Sequence, residues 1–239
     1  MRRTPIAALC LLAAACATVP MSPSPTTPDP LPVMLVHGID DHARQWEPLR
    51  RYLAENGFRD FAAVELTPND GRGGLAKLAA QLDDAARKLC QRTGAKQIDV
   101  VGFSMGALVS RYWLKRVDGH VPVRRYVSIS GPHHGTWAAY LRWNEGTREM
   151  RPGSAFIADL SRDEADWGEV RPYSFWTPMD LAIVPATSSH LEGAVERKFP
   201  VVLHPLMVFD GRVMGAVLQA LTTGDVEPQR GFDRTPGWP

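Results

Sequence analysis

Apolar positions along the chain fall into short continuous runs separated by longer stretches with helical spacing. Pro32-Val33-Met34-Leu35-Val36 is such a run, ends at His37-Gly38, and suits a strand buried on both faces of a parallel sheet. A helix is expected over about 45–56, stopped by Gly57, followed by a strand over 61–66. A long amphipathic helix over 74–92, closed by Gly94, leads to a third strand over 97–101. A helix over 104–117, strands over 124–129, 173–177 and 199–203, and a helix over 211–221 complete the pattern. This alternation predicts an α/β fold with a mostly parallel sheet of about six strands and helices on both faces, in which sites form at the carboxyl ends of strands. Residues 133–171 break the alternation. They are long, irregular in places and hold Trp137, Trp143, Phe156 and Trp167, a content that argues against disorder and for a functional insertion.

The amino-terminal segment follows different rules. Met1-Arg2-Arg3, an apolar stretch from Ile6 to Ala15 and small residues before Cys16 have the layout of a secretion signal, too short to span a bilayer. Ala13-Ala14-Ala15-Cys16 resembles the lipobox of bacterial lipoproteins, in which the cysteine is lipidated and becomes the new terminus. Ala13 stands where leucine is usual, which leaves ordinary signal cleavage open. Ala17 after the cysteine implies sorting to the outer membrane; without lipidation the product is periplasmic or secreted. From Thr18 to Pro32, prolines at 20, 23, 25, 28, 30 and 32 favour an extended tether. The expected division is therefore a signal over 1–16, a tether over 17–32 and one catalytic domain over 33–239. Only Cys90 of the three cysteines remains in the folded part, so no internal disulfide is expected there. With 27 basic and 26 acidic residues and no long cationic run, nucleic acid is excluded as a partner. Oligomeric state leaves no mark in the sequence.

Gly102-Phe103-Ser104-Met105-Gly106 carries the strongest chemical signal, because it lies directly after an apolar strand and directly before a helical pattern. Such a turn lifts a serine to a helix amino terminus, where amides and the helix dipole favour developing negative charge. A serine hydroxyl needs a base to take its proton and a carboxylate to orient that base. Asp180 and His204 follow predicted strands, lie downstream of Ser104 and come in the order acid, then histidine. Asp210 and Glu192 are rival acids, and His190 is a rival base. Acyl transfer also requires donors for the tetrahedral oxyanion. The Met105 N–H follows the nucleophile, and the Ile39 N–H is expected from the His37-Gly38-Ile39 turn. His37, Asp40, Asp41 and His42 could be read as metal ligands, but neighbours on one loop do not readily surround an ion.

Taken together these residues resemble the small bacterial triacylglycerol lipases and esterases of the α/β-hydrolase superfamily. The resemblance runs from Pro32 to about Leu221 and includes Pro132-His133-His134-Gly135-Thr136 and Met150-Arg151-Pro152-Gly153-Ser154. It implies an α/β-hydrolase fold with a lid over about 137–171, whose aromatics either line an acyl groove or pack the cap against the sheet, hydrolysis of lipid-like acyl esters through an acyl-enzyme, Ser104, Asp180 and His204 as triad, and Ile39 and Met105 as oxyanion donors. No cofactor is implied. Some relatives carry a structural calcium; no ligand set here matches, and no metal is expected. Expected partners are a small-molecule or lipid ester and, through Cys16, a membrane. The chain departs from the family pattern at Phe103, where histidine is frequent, at Asp40-Asp41, which would disfavour anionic substrates, and at Pro205 after the histidine. Thioester, amide or acyl-transfer chemistry on the same triad is the alternative, and a non-catalytic lipoprotein of the same fold is a third.

Overall fold

Val33 and Leu35 point to one side of their strand and Met34 and Val36 to the other, and all four are fully buried. That two-sided burial is why the run reads as uninterrupted apolar sequence. A computed structural model describes residues 30–226 of the protein. The signal, Cys16 and nearly all of the expected tether lie outside the described residues, as does the stretch after 226. Its strands are β1 (Val33–Val36), β2 (Phe61–Val64), β3 (Ile98–Phe103), β4 (Val123–Ile129), β5 (Arg171–Trp176) and β6 (Val195–Lys198). They form one sheet in the order β2-β1-β3-β4-β5-β6, with every neighbouring pair parallel. The six-stranded α/β-hydrolase architecture expected from the sequence is what the chain adopts.

Helices cover both faces. α1 (Glu47–Glu55) and α6 (Gly211–Thr222) pack on the face that carries Leu35, Val101, Val127 and Phe175. α2 (Leu75–Thr93) and α3 (Met105–Arg116) pack on the face that carries Met34, Val36, Val100 and Tyr126. Cys90 is partly buried against that second core. Among the described residues no helix is long and apolar enough to cross a membrane.

Two expectations need correction. The last strand is Val195–Lys198 and not 199–203. Pro200 has no N–H to donate to a ladder, so the chain leaves the sheet there, while Phe199 and Val201 turn into the core and supply the apolar signal. The pairing is carried instead by the polar Val195-Glu196-Arg197-Lys198, a composition that suits an edge strand. His204 consequently opens a 3-10 turn, His204–Val208, instead of ending a strand.

The insertion over 137–171 is also not a uniform lid. Its first part, the 3-10 turn Trp137–Leu141 and the short α4 (Glu145–Glu149), lies at the carboxyl edge of the sheet. Its second part, from α5 (Ala155–Leu160) onward, is fastened to α3. Arg111 donates to the Leu160 carbonyl at 2.8 Å, and Arg116 pairs with Asp159 and Asp163 at 2.6 and 2.9 Å. Trp167 packs on Tyr126, and Phe156 stacks on Tyr112. Those two aromatics are core residues of the buttress.

Among the glycines of the described residues, the tightest surroundings are at Gly106, where the first turn of α3 meets the end of β1. A Cβ added at Gly106 would sit 2.2 Å from the His37 carbonyl oxygen and 2.6 Å from that of Val36. Both are backbone atoms, one in the last residue of the interior strand β1 and one directly after it, which cannot give way cheaply. Gly106→Ala is therefore expected to cost about 3 kcal/mol, lowering Tm by roughly 6–12 °C; differential scanning calorimetry of the variant would check it.

Candidate active site

Ser104 sits between β3 and α3 with φ 53° and ψ −124°, a left-handed conformation that non-glycine residues rarely adopt. Its own N–H is spent on the Ile129 carbonyl at 2.9 Å, which fastens the turn to β4. Gly102 is required on the other side of the turn, since a Cβ there would meet Ala107 Cα at 2.7 Å. The side chain is buried to 7% exposure, yet it lines a cavity of about 470 Å³.

The structure brings His204 to that cavity and Asp180 to His204. His204 also lines it, and its Nδ1–H donates to Asp180 Oδ2 at 2.7 Å. The remaining oxygen of Asp180, Oδ1, accepts the N–H groups of Ala182 and Ile183, each at 2.9 Å, so this buried carboxylate is held on both sides. With Nδ1 committed to the carboxylate, Nε2 is the nitrogen left for the cavity. The Phe103 ring lies against the His204 imidazole, with centroids 4.7 Å apart, which gives a use for the departure at that position. Ser104 and His204 are not hydrogen-bonded to each other among the described residues, a looseness common before substrate binds.

The rivals are engaged elsewhere. Asp210 caps α6 and pairs with Arg212 at 2.6 Å. His190 pairs with Glu196 at 2.8 Å, and Glu192 is a surface residue. His133 is fully buried against Ser128, and His134 pairs with Glu164. Among the described residues no group of three or more His, Cys, Asp or Glu side chains is placed to hold a metal ion.

Neither the Ile39 nor the Met105 N–H donates a hydrogen bond among the described residues, and both flank Ser104. A Cβ on Gly38 would touch Ser104 Cβ at 3.2 Å, so the β1 loop lies directly against the nucleophile position. His37 fixes how that loop is turned. Its Nδ1–H donates to the Gly38 carbonyl at 2.7 Å, and its Nε2 accepts the Leu66 N–H at 2.9 Å. In a trans peptide the N–H points opposite to the C=O. Holding the Gly38 oxygen with His37 therefore turns the Ile39 N–H the other way. The sequence reading treated His37 as half of a turn motif and missed this positioning role.

The cavity walls decide between the two expectations for the insertion's aromatics. Apart from the Phe103 ring, their apolar part is aliphatic: Ile39, Ala138, Leu141, Met150, Leu181 and Ile183. Trp137 and Trp143 are exposed and lie outside the cavity lining. Leu181 and Ile183 went unnoticed because a single polar residue, Asp180, dominated the reading of that run; their spacing around it was the available signal.

Burial pushes the pKa of His37 down, and that of His133 well down, from the ordinary value of 6.5. The neighbouring Glu164 carboxylate instead pushes His134 up. At pH 6.5, imidazole-resolved 15N NMR should show His37 neutral and protonated on Nδ1, His133 neutral, and His134 mostly charged. A His37 signal with the proton on Nε2 would contradict the orientation of the Ile39 amide.

Comparison with known proteins agrees with this geometry. The sequence model of the family described as palmitoyl protein thioesterase matches residues 32–165. A triacylglycerol lipase of Pseudomonas fragi is 29% identical over 112 residues, which cover 44% of this chain and 36% of the lipase. The lysosomal thioesterase PPT2 of Rattus norvegicus is 30% identical over 130 residues, covering 52% of this chain and 42% of the relative. The chain thus spans less than half the length of these relatives. The mature Bacillus licheniformis lipase BlEst2 superposes with a TM-score of 0.62 at 18% identity, covering 82% of this chain and 93% of that one, a likeness of fold.

Proposed function

The chain belongs to the palmitoyl protein thioesterase family, and on that premise we propose that it is a serine hydrolase acting on fatty-acyl esters. The observation that carries this is the His204–Asp180 pair at 2.7 Å opening on the same cavity as the strained Ser104 turn. In the proposed reaction His204 Nε2 takes the Ser104 proton as Oγ attacks the acyl carbonyl. The oxyanion is held by the Ile39 and Met105 amides, and the imidazolium returns its proton to the leaving alkoxide. Water, deprotonated by His204, then releases the acid and restores Ser104. Asp180 holds the ring in the Nδ1–H tautomer through the 2.7 Å hydrogen bond.

Two features support a long-chain apolar acyl group. Apart from Phe103 the apolar walls are aliphatic, and the exposed Leu141 and Leu181 are among them, with exposed Leu203 and Leu206 flanking the lining residues His204 and Pro205 in sequence. A second reading, thioester in place of oxygen ester, is favoured by the family match and by the thioesterase relatives. The wild type should hydrolyse p-nitrophenyl octanoate, Ser104→Ala should lose at least about 1000-fold in kcat, and Asp180→Asn roughly 100- to 10,000-fold. Matched octanoyl oxygen and thioesters, compared by kcat/KM, separate the two readings. Substantial turnover by Ser104→Ala would remove the nucleophile assignment.

We further infer from residues 1–16 that the protein is exported and anchored to a membrane through lipid on Cys16, in the outer membrane, with periplasmic or secreted protein as the product of plain cleavage. Cells expressing the full chain and fed radiolabelled palmitate should label the protein, and Cys16→Ser should lose both the label and the membrane association. Unlabelled but processed protein would favour plain cleavage.

A further inference from the structure

The polar side chains lining the cavity around Ser104 are few, and most are used up inside the protein. Thr136 Oγ1 donates to the Ala182 carbonyl at 2.8 Å and accepts from the N–H groups of Ala138 and Val184. Thr147 Oγ1 donates to the Asn144 carbonyl at 3.0 Å. Arg142 is tied to Asp40, which cancels its charge, and His204 Nδ1 is tied to Asp180. What remains is the Ser104 hydroxyl, His204 Nε2 and the carboxylate of Asp41, which accepts no hydrogen bond among the described residues. The first two belong to the proposed chemistry. Asp41 does not.

Its place is specific. A Cβ on Gly38 would lie 3.0 Å from Asp41 Oδ2 and 3.2 Å from Ser104 Cβ, so the carboxylate and the nucleophile flank one glycine. Asp41 is half-buried, and the charged or titratable groups that face it are His37, His204, Asp40 and His42. Burial pushes its carboxyl up from the ordinary aspartate value, so ionisation is disfavoured here unless a cation arrives. No hydrogen bond among the described residues gives this acid a structural use, and its Oδ2 beside Gly38 is left to meet a complementary ligand.

We propose that Asp41 selects substrates carrying a positive charge within a few bonds of the scissile carbonyl, a role that rests on the ester-hydrolase reading of this cavity. The charge sits in the cavity beside the Gly38–Ile39 turn while the carbonyl faces the oxyanion amides. Asp40, although adjacent in sequence, takes no part, because Arg142 occupies it.

The test compares isosteric pairs that differ only in a quaternary nitrogen against a quaternary carbon. Butyrylcholine with 3,3-dimethylbutyl butyrate puts the charge on the alcohol side. Phenyl 4-(trimethylammonio)butanoate with phenyl 5,5-dimethylhexanoate puts it on the acyl side. The wild type should favour the cationic member of at least one pair by roughly 5- to 20-fold in kcat/KM, expressed mainly in KM. In Asp41→Asn that ratio should fall to near one, and in Asp41→Glu it should persist. Equal use of both members of both pairs, or a ratio that survives in Asp41→Asn, would overturn the assignment. Calorimetric titration of Ser104→Ala protein with the same four esters separates this idea from the one beneath it. Cation-selective binding that Asp41→Asn abolishes, without hydrolysis by the wild type, would leave Asp41 standing and remove the hydrolase reading. Absence of selectivity in both turnover and binding would remove Asp41.

Discussion

The site depends on the close passage of the α3 amino terminus over the carboxyl end of β1. Only a glycine at 106 lets the helix backbone reach the Val36 and His37 carbonyls. That passage sets Met105 against the Gly38–Ile39 turn, and so brings together two amides from segments about 65 residues apart in sequence. The strained conformation of Ser104 is the other side of the same constraint. A chain that leaves β3 and enters α3 within one residue, beneath an immovable neighbour, has no relaxed route. The strain is balanced by the parallel ladders β1–β3 and β3–β4, which hold both ends of the turn.

His37 extends that constraint sideways. Because its two ring nitrogens face unlike partners, one carbonyl and one amide, the tautomer is decided by the backbone alone. Burial keeps the ring neutral, as the arrangement demands, since an imidazolium could not accept the Leu66 N–H. The Gly38–Ile39 turn is thereby coupled to the end of β2, at the opposite edge from the strands that precede Asp180 and His204. The proposed donors and the proposed base thus come from two separate parts of the sheet, and β3 joins them.

Much of this was legible in the sequence because both-face burial writes itself as apolar runs, and a Gly-x-Ser-x-Gly turn has few uses between a strand and a helix. Ser104, Asp180 and His204 could be picked out by their place after such runs, and the structure sets Ser104 and His204 on one cavity with Asp180 hydrogen-bonded to His204. Apolarity was misleading where it served the core without pairing: Phe199 and Val201 looked like a strand, whereas the polar Glu196 and Lys198 made one at the sheet edge. Tryptophans misled in the same way. Trp167 is packed into the buttress and Trp143 faces solvent, and composition alone does not distinguish those fates from a ligand groove. Asp40 and Asp41 were visible as departures, but their opposite situations depend on Arg142, about 100 residues away.

The insertion shows how one segment serves two demands. Its second half must be immobile, because Arg111, Lys115 and Arg116 all project from α3, the helix that presents Ser104. Arg111 is fully buried with its guanidinium on the His133 and Leu160 carbonyls and 3.6 Å from Glu164. Lys115 donates to the carbonyls of Asp163 and Asp166 and lies over the Trp167 ring. Removing such a partner from a buried charge costs several kcal/mol, so this half cannot detach without loosening α3 itself. The first half is held differently. The Trp137 N–H donates to the Val184 carbonyl at 2.9 Å and the Gly146 N–H to the Gly71 carbonyl at 3.0 Å. Asn144 donates to the Asp70 carbonyl at 2.8 Å, and Glu149 accepts the Leu75 N–H at 2.6 Å. The exposed Arg142–Asp40 pair adds at most about 1 kcal/mol to these. The second half is thus fastened to α3 through buried charge, and the first half to the loops after β2 and β5 and to the start of α2 through hydrogen bonds.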